Sequence, residues 1–143
     1  GEKHGYFITY YDNGQMIRKD LYENNILVEG QCFNRDGTPA EYFPYIVLPR
    51  FKGGPAELRK FIEKNLKYPK NAEKLEIEGT VWVTFTVDES GRVKDPQIVQ
   101  GAHQYLNEEA LRLVASFPLW IPGMMDGVPN ELQITIPIEF RLP

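Results

Sequence analysis

The chain has 143 residues, of which 42% are hydrophobic and 25% charged, a balance ordinary for one globular domain with at most a small appendage. The net charge is −4 and neither half is rich in Lys or Arg, which argues against nucleic-acid binding and against electrostatic anchoring on anionic lipid. No apolar stretch approaches the ~20 residues of a membrane-spanning helix, and a single cysteine, Cys32, makes no internal disulfide.

Residues 1–43 are predicted to form a small β-meander. YYDNG at 10–14 and FNRDG at 33–37 each place an aromatic residue before an Asn-Gly or Asp-Gly pair, which is the strongest short hairpin signal. The two stretches recur at a spacing of 23, which suggests a structural repeat. The expected strands span 5–11, 15–22, 26–33 and 38–43.

Residues 44–54 are predicted to be an extended linker, because two prolines and a pair of glycines punctuate an apolar run. Helical spacing then begins at Pro55, with apolar residues at Leu58, Phe61, Ile62 and Leu66. Gly54 and Pro55 suit the cap and the first position of a helix over 55–66. The helix stops before Pro69, and a short helical piece is expected through Ala72 and Leu75.

Strict alternation predicts a strand over 80–87, with Val81, Val83, Phe85 and Val87 on one face. The sequence DESG predicts a hairpin, with Gly91 supplying the positive φ. The return strand over 92–100 loses its alternation at Asp95–Pro96, where we expect a β-bulge.

A second helix is predicted over 107–117, with Ala110, Leu111, Val114 and Phe117 as its buried stripe. Asn107 is expected to be the N-cap, Leu106 to pack as a hydrophobic staple, and Glu108 and Glu109 to favour the positive end of the helix dipole. The stretch from Trp120 to Asn130 is predicted to be a loop anchored by Trp120.

The chain closes on a long alternating strand. Ile134, Ile136, Ile138 and Phe140 share one face, and Gln133, Thr135, Glu139 and Arg141 share the other. Pro137 lies in the middle, and proline is confined to edge strands, strand starts and bulges because it has no N–H for the ladder. The predicted fold is therefore α+β: a three-stranded antiparallel sheet with two helices on one face, preceded by the small β-meander.

No constellation in the sequence points to catalysis, to a cofactor or to a metal. His4 and His103 are far apart, and neither they nor Cys32 have a second ligand at metal spacing. The glycine pair at 53–54 is too short to cradle a phosphate. The aromatic residues Trp82, Phe85, Trp120 and Phe140 favour core packing over a ligand pocket.

Five motifs over Tyr68–Leu142 together resemble the C-terminal domain of the TonB energy transducer, and the stretch FKGGPAELRKFIEKNLKYP before them resembles the lead-in of the Bacteroidetes type. In order they are Tyr68–Pro69 with a helical Ala after it, EGTV opening a strand, DESGRV at the hairpin, the LNEEAL helix with its aromatic-x-Pro-Gly sequel, and IPIEF in the last strand. They lie within residues 55–143. The turns of residues 1–43 are more loosely similar to MORN-type repeats of bacterial envelope proteins.

The resemblance implies a periplasmic domain, held in the inner membrane by an N-terminal helix that lies outside this sequence. It implies contact with ExbB–ExbD through that helix, and with the TonB box of outer-membrane transporters. In the family the box adds as a strand to the final strand, which implies a partner-binding role for Tyr68, Pro69, Gln133, Ile134, Thr135, Ile136, Pro137, Ile138, Glu139 and Arg141. Addition of this kind uses free backbone groups more than side chains.

Two alternatives stay open on the sequence alone. The edge residues Pro137, Glu139 and Arg141 are also what a strand uses to prevent aggregation. As an alternative to a transducer, the domain could belong to an envelope scaffolding or sensor protein without a transport role. A homodimer through the last strand is a further expectation.

Overall fold

The computed structural model describes residues 3–143, which form two compact units divided between Tyr45 and Ile46. Gly1 and Glu2, which the predicted repeat segment includes, lie outside the described residues. Within the described part of the chain, no helix is long and apolar enough to cross a membrane.

The first unit is an antiparallel sheet with its strands in chain order. These strands are β1 (Gly5–Tyr10), β2 (Met16–Glu23), β3 (Ile26–Phe33) and β4 (Pro39–Ala40). Asn24 and Asn25 join β2 to β3 with positive φ angles of 50° and 67°, a conformation that Asn tolerates. β4 is shorter than the predicted strand over 38–43, because the chain leaves the sheet after Ala40.

The two glycine-containing turns of the first unit lie side by side. Asp12 and Arg35 form an ion pair of 2.7 Å between Oδ1 and Nη1, and the Asn13 amide donates to the Arg35 carbonyl at 3.0 Å. The 23-residue sequence repeat is therefore also a repeat in space. The MORN-like assignment of this segment stays a prediction.

A buried ion pair lies inside the first unit. Arg18 and Asp20 are both fully buried, with Nη1 2.9 Å from Oδ2, and Arg18 also donates to the Phe43 carbonyl. The guanidinium lies 5.7, 4.9 and 5.5 Å from the ring centroids of Tyr42, Phe43 and Tyr45. The segment after β4 thus covers one face of the sheet with aromatic rings that favour a cation.

The main sheet of the second unit has three antiparallel strands in the order β10–β6–β7. Their bounds are β6 (Gly79–Val87), β7 (Val93–Gln100) and β10 (Leu132–Phe140). The helices are α1 (Pro55–Asn65), α2 (Lys70–Lys74) and α3 (Gln104–Ala115). This is the α+β fold that the sequence predicts, with Gly54 as the cap of α1 and Pro55 at its start.

Both long helices pack on one face of this sheet. The buried core contains Val81, Val83, Phe85, Val87, Leu106, Ala110, Leu113, Val114, Trp120, Ile138 and Phe140. Leu58, Phe61, Ile62, Leu66 and Ile136 pack against it from partly buried positions. The alternation of β6 and β10 therefore assigns the buried face correctly, and Trp120 anchors the segment after α3 as predicted.

A second small sheet completes this unit. It consists of β5 (Ile46–Val47), β8 (Gly123–Met125) and β9 (Val128–Asn130), in the order β5–β8–β9. Residues 46–54 belong to the second unit, since Arg50 also bridges to Ile121 and Phe51 packs on the core. The predicted loop between Trp120 and Asn130 contains this hairpin, whose turn is formed by Asp126 and Gly127 at positive φ.

The start of α3 differs from the prediction. The helix begins at Gln104, and its N-cap is His103, whose Nδ1 accepts from the Tyr105 N–H at 3.2 Å. Asn107 is therefore inside the helix, and its side-chain oxygen accepts instead from the Ala102 N–H. No acidic residue lies in the first turn, and Leu106 is a fully buried core residue, not a staple before the cap.

Bulges bend β7, as the loss of alternation predicts. The register against β6 shifts between Thr84 and Thr86, where Asp95 adopts a φ of 52°. A second shift lies between Trp82 and Val83, opposite Val99. The two irregularities explain why the return strand does not alternate.

Candidate docking edge

β10 is an outer strand of its sheet. It pairs with β6 on one side, and no other strand within residues 3–143 pairs with its second side. Its burial alternates along its whole length: Ile138 and Phe140 are buried, Ile134 and Ile136 are half-buried, and the odd-numbered residues are exposed. The strand thus offers an uncovered backbone edge on a sheet that has a well-packed inner face.

The position of Pro137 determines which backbone groups face that edge. β10 and β6 pair in an unbroken register in which Pro137 lies opposite Trp82. Since proline has no N–H, this pair is one of the antiparallel pairs that exchange no hydrogen bonds. The nitrogen of Pro137 therefore points away from β6, towards the free edge.

The alternation of an antiparallel ladder extends this assignment to the whole strand. Even-numbered residues of β10 bond β6, and the Thr84 hydroxyl also donates to the Ile134 carbonyl at 3.2 Å, which places that carbonyl on the β6 side. Odd-numbered residues point outward. The free edge accordingly carries the N–H groups of Gln133, Thr135 and Glu139 and the carbonyls of Gln133, Thr135, Pro137 and Glu139.

This pattern makes the edge competent to accept an extended chain. An added strand needs alternating donors and acceptors at the spacing of a β-ladder, and three donors with four acceptors supply them. Pro137 interrupts the series of donors but leaves its carbonyl in place. No special side-chain chemistry is required, which agrees with the absence of catalytic motifs in the sequence.

Tyr68 lies at the far end of β10. Its ring packs edge-on against Phe140, with centroids 5.8 Å apart, and its hydroxyl donates to the Ile77 carbonyl. Burial and the nearby Glu78 carboxylate raise the pKa of Tyr68 above its ordinary value. The structure thus brings Tyr68 to the inner face of the strand, where it supports Phe140.

The other two residues outside the strand have different positions. Pro69 is the N-cap residue of α2. Arg141 follows the last residue of β10, is exposed, and donates to the Phe140 carbonyl at 3.1 Å. The remaining sequence-predicted site residues, from Gln133 to Glu139, all lie within β10.

A buried carboxylate that the sequence does not reveal fixes the chain before Tyr68. Glu109 is 8% exposed and accepts from the Lys67 N–H at 2.7 Å, while Arg112 bonds both of its carboxylate oxygens. Glu109 is therefore a tertiary clamp between α3 and the segment after α1, and the prediction that it caps the helix dipole is wrong. No local pattern marks a contact between residues 42 positions apart.

The other residues considered as possible functional groups, Cys32 and His103, have structural roles. Cys32 is buried, with its Sγ 3.7 Å from the Phe43 carbonyl, and His103 caps α3. Two concave sites of about 150 and 200 Å³ lie on the first unit, below the ~300–1,000 Å³ usual for ligand pockets. In the part of the chain that the structure describes, no three His, Cys, Asp or Glu side chains cluster as metal ligands would.

Comparison with known proteins assigns the family. Residues 64–142, more than half of the chain, match the family described as Gram-negative bacterial TonB protein C-terminal. The chain belongs to this family.

Curated relatives and solved structures lie in the same group. The chain is 34% identical over 77 residues to the Protein TonB of Vibrio cholerae, and 27% identical over 85 residues to that of Pasteurella multocida. These matches cover 53% and 59% of this chain but 31% and 32% of the relatives, so the chain spans about a third of their length. The NMR solution structure of Helicobacter pylori TonB-CTD aligns with a TM-score of 0.48 at 28% identity, covering 62% of this chain and 79% of that one.

Proposed function

We propose that residues 46–143 are the periplasmic docking domain of a TonB-type energy transducer. In this proposal the outer edge of β10 receives the TonB-box segment of an outer-membrane transporter as an added strand. The observation that carries the proposal is the uncovered edge itself, with its outward N–H and carbonyl groups between Gln133 and Glu139. Membership in the TonB C-terminal family supports it.

We extend the proposal to the rest of the transducer, with family membership as its support. A membrane helix outside this sequence anchors the domain in the inner membrane and contacts ExbB–ExbD. Pulling on the docked segment then transmits energy from the proton gradient to the transporter. A strand that is pulled along its own direction distributes the force over all of its ladder hydrogen bonds at once. Strand addition is therefore a mechanically suitable way to attach the transporter segment.

The proposal is tested with a synthetic peptide that covers the TonB box of a transporter from the same organism. Binding is measured by fluorescence anisotropy and mapped by amide NMR shifts. We expect modest affinity, because ordering a flexible peptide offsets much of the ladder energy. Shifts should concentrate between Gln133 and Glu139.

Two variants at one position separate backbone docking from side-chain contact. Thr135→Ala keeps the outward N–H and should bind within about twofold of the unaltered domain, since exposed side chains contribute little here. Thr135→Pro removes that N–H and should weaken binding about two- to tenfold, the value of one net hydrogen bond. Pro137 shows that this edge accepts proline without losing its register to β6. Equal binding by both variants, or shifts confined to residues 5–33, would place docking elsewhere.

A further inference from the structure

The sheet face opposite the helices carries one apolar row among polar ones. Trp82 is 39% exposed and lies directly opposite the exposed Pro137 in β10 and Gln100 in β7. Val99, 62% exposed, is the extra residue of the β7 bulge, between Gln100 and Ile98. We define Pro137, Trp82 and Val99 as the apolar row.

The rows on either side are polar. On one side Thr135, Thr84 and Gln97 lie opposite one another, and on the other side Glu139 faces Thr80. A strand added to β10 would lengthen each row by one side chain, because paired residues on adjacent strands project on the same face. On this face only the row that ends at Pro137 offers the incoming strand an apolar neighbour, whereas on the helix-packed face the neighbours Ile134, Ile136 and Ile138 are alike and favour no one register.

The backbone of the edge is weakest at the same position. Gln133, Thr135 and Glu139 each present an N–H, whereas a partner residue beside Pro137 finds a carbonyl but no donor. Backbone pairing alone would therefore let a strand slide past Pro137 with little preference, because every register that spans it loses one hydrogen bond. Side-chain contact along the apolar row then decides the register.

Resting on the proposed docking at β10, we infer that the apolar row sets the register of the incoming strand. The occupant is an extended segment of a different protein that places a large apolar side chain beside Pro137, in line with Trp82. The contact offsets the missing donor and fixes which residues of the segment face Thr135 and Glu139.

A second copy of this chain fits the edge less well. On the face of the apolar row the copy would present Gln133, Thr135, Pro137 and Glu139, so on that face only its Pro137 could supply an apolar neighbour. That register pairs proline with proline, and the pair then has no donor at all. In every other two-fold register that includes both prolines, each copy lacks one donor, so the pairing loses two hydrogen bonds. A foreign segment without a proline at that point loses only one.

The test uses the TonB-box peptide with a nitroxide at its N-terminus, so that paramagnetic broadening of β10 amides identifies the peptide residue beside Pro137. That residue is then compared as leucine and as threonine. We expect the unaltered domain to prefer leucine by about three- to fivefold, in the range of a cross-strand pair.

Two variants of the domain distinguish selection of a register from non-specific apolar binding of the peptide. Pro137→Thr adds a donor and removes the apolar neighbour, so the threonine peptide should bind about two- to tenfold more tightly, the leucine peptide should gain less, and the preference for leucine should fall below about 1.5-fold. Trp82→Thr, which matches the neighbouring Thr80 and Thr84, should reduce the preference without the gain in affinity. Gln97→Thr, an exposed position on the same face in β7 and away from the docking edge, is the matched control and should leave the preference unchanged.

The outcomes separate this inference from the proposed function. A peptide that binds β10 with no preference beside Pro137, or with a preference that survives Pro137→Thr, overturns the inference and leaves docking at β10 intact. Absence of any peptide binding at β10 overturns both. Tighter binding with lost discrimination in Pro137→Thr supports both.

Discussion

Pro137 lies directly opposite Trp82 in the unbroken antiparallel pairing of β10 with β6. Because proline cannot donate, this one relationship orients the whole strand: even-numbered residues bond β6 and odd-numbered residues face the free edge. Pro137, a residue type that usually interrupts strands, is therefore compatible with a complete hydrogen-bond ladder between β10 and β6. It also reduces the outward edge by one donor, which limits pairing with unwanted strands.

The first prediction concerns self-association. Pro137→Thr should restore the outward donor and strengthen pairing between two copies by at least about fivefold, since a two-fold pairing regains two hydrogen bonds. Sedimentation equilibrium of the two proteins at matched concentrations measures the change. Thr135→Ser, which alters a neighbouring exposed side chain, keeps it polar and changes no backbone group, is the control. An unchanged association constant in Pro137→Thr would mean that the proline does not guard this edge.

The second prediction concerns the core of the second unit. Leu113→Ala and Phe140→Ala remove fully buried side chains and should lower the free energy of unfolding by about 2–5 and 3–5 kcal/mol. Leu75→Ala, at a residue that is 65% exposed, should change it by less than about 0.5 kcal/mol. Urea unfolding followed by tryptophan fluorescence provides the comparison. Losses below 1 kcal/mol at both core sites would contradict the assigned inner face.

The third prediction contrasts two ion pairs of the first unit. Asp20→Ala breaks a fully buried ion pair with Arg18 and should destabilise this unit by about 3–5 kcal/mol. Asp12→Ala breaks the exposed pair with Arg35 and should cost at most about 1 kcal/mol. Amide hydrogen exchange of β2 and β3 reports on this unit separately. Similar losses of protection in the two variants would show that burial does not distinguish the pairs.

The fourth prediction is a pH dependence at the hairpin between β6 and β7. Hydrogen bonds from the Ser90 hydroxyl and the Arg92 N–H hold the pKa of the Asp88 carboxyl below its ordinary value. A lowered folded-state pKa means that this carboxylate stabilises the fold above its unfolded pKa, and that the contribution is lost as the pH falls through the folded value. Carbon-detected NMR titration should give the Asp88 carboxyl a midpoint below that of the same aspartate in a short unfolded peptide. In Asp88→Asn the acid-dependent loss of stability should become smaller.

The sequence predicts most of the second unit because its signals are local. The alternation of Val81, Val83 and Phe85 against Ile136 and Ile138 identifies the two paired strands and their buried faces. Pro137 identifies the edge. The hairpin at 123–130 is missed even though Asp126–Gly127 is a turn signal, because the strands beside it are only three residues long.

Contacts between distant residues account for the other differences. Glu109 has the sequence context of a helix start, and its clamp on Lys67 depends on packing that no pattern around either residue shows. The helix begins at Gln104, where the His103 side chain accepts from the Tyr105 N–H, a capping role for which His is an uncommon choice. Whether the Pro137 nitrogen faces β6 or the free edge depends on the register between β10 and β6. The sequence alone does not determine that register.

The central claim is that an extended segment docks on the outward groups of β10, and residue-resolved amide hydrogen exchange tests it most directly. In the free domain the N–H groups of Ile134, Ile136 and Ile138 should exchange slowly, and those of Gln133, Thr135 and Glu139 should exchange fast. Saturating TonB-box peptide should slow the odd-numbered set and leave the even-numbered set unchanged. Peptide binding that leaves Gln133, Thr135 and Glu139 in fast exchange would contradict docking at this edge.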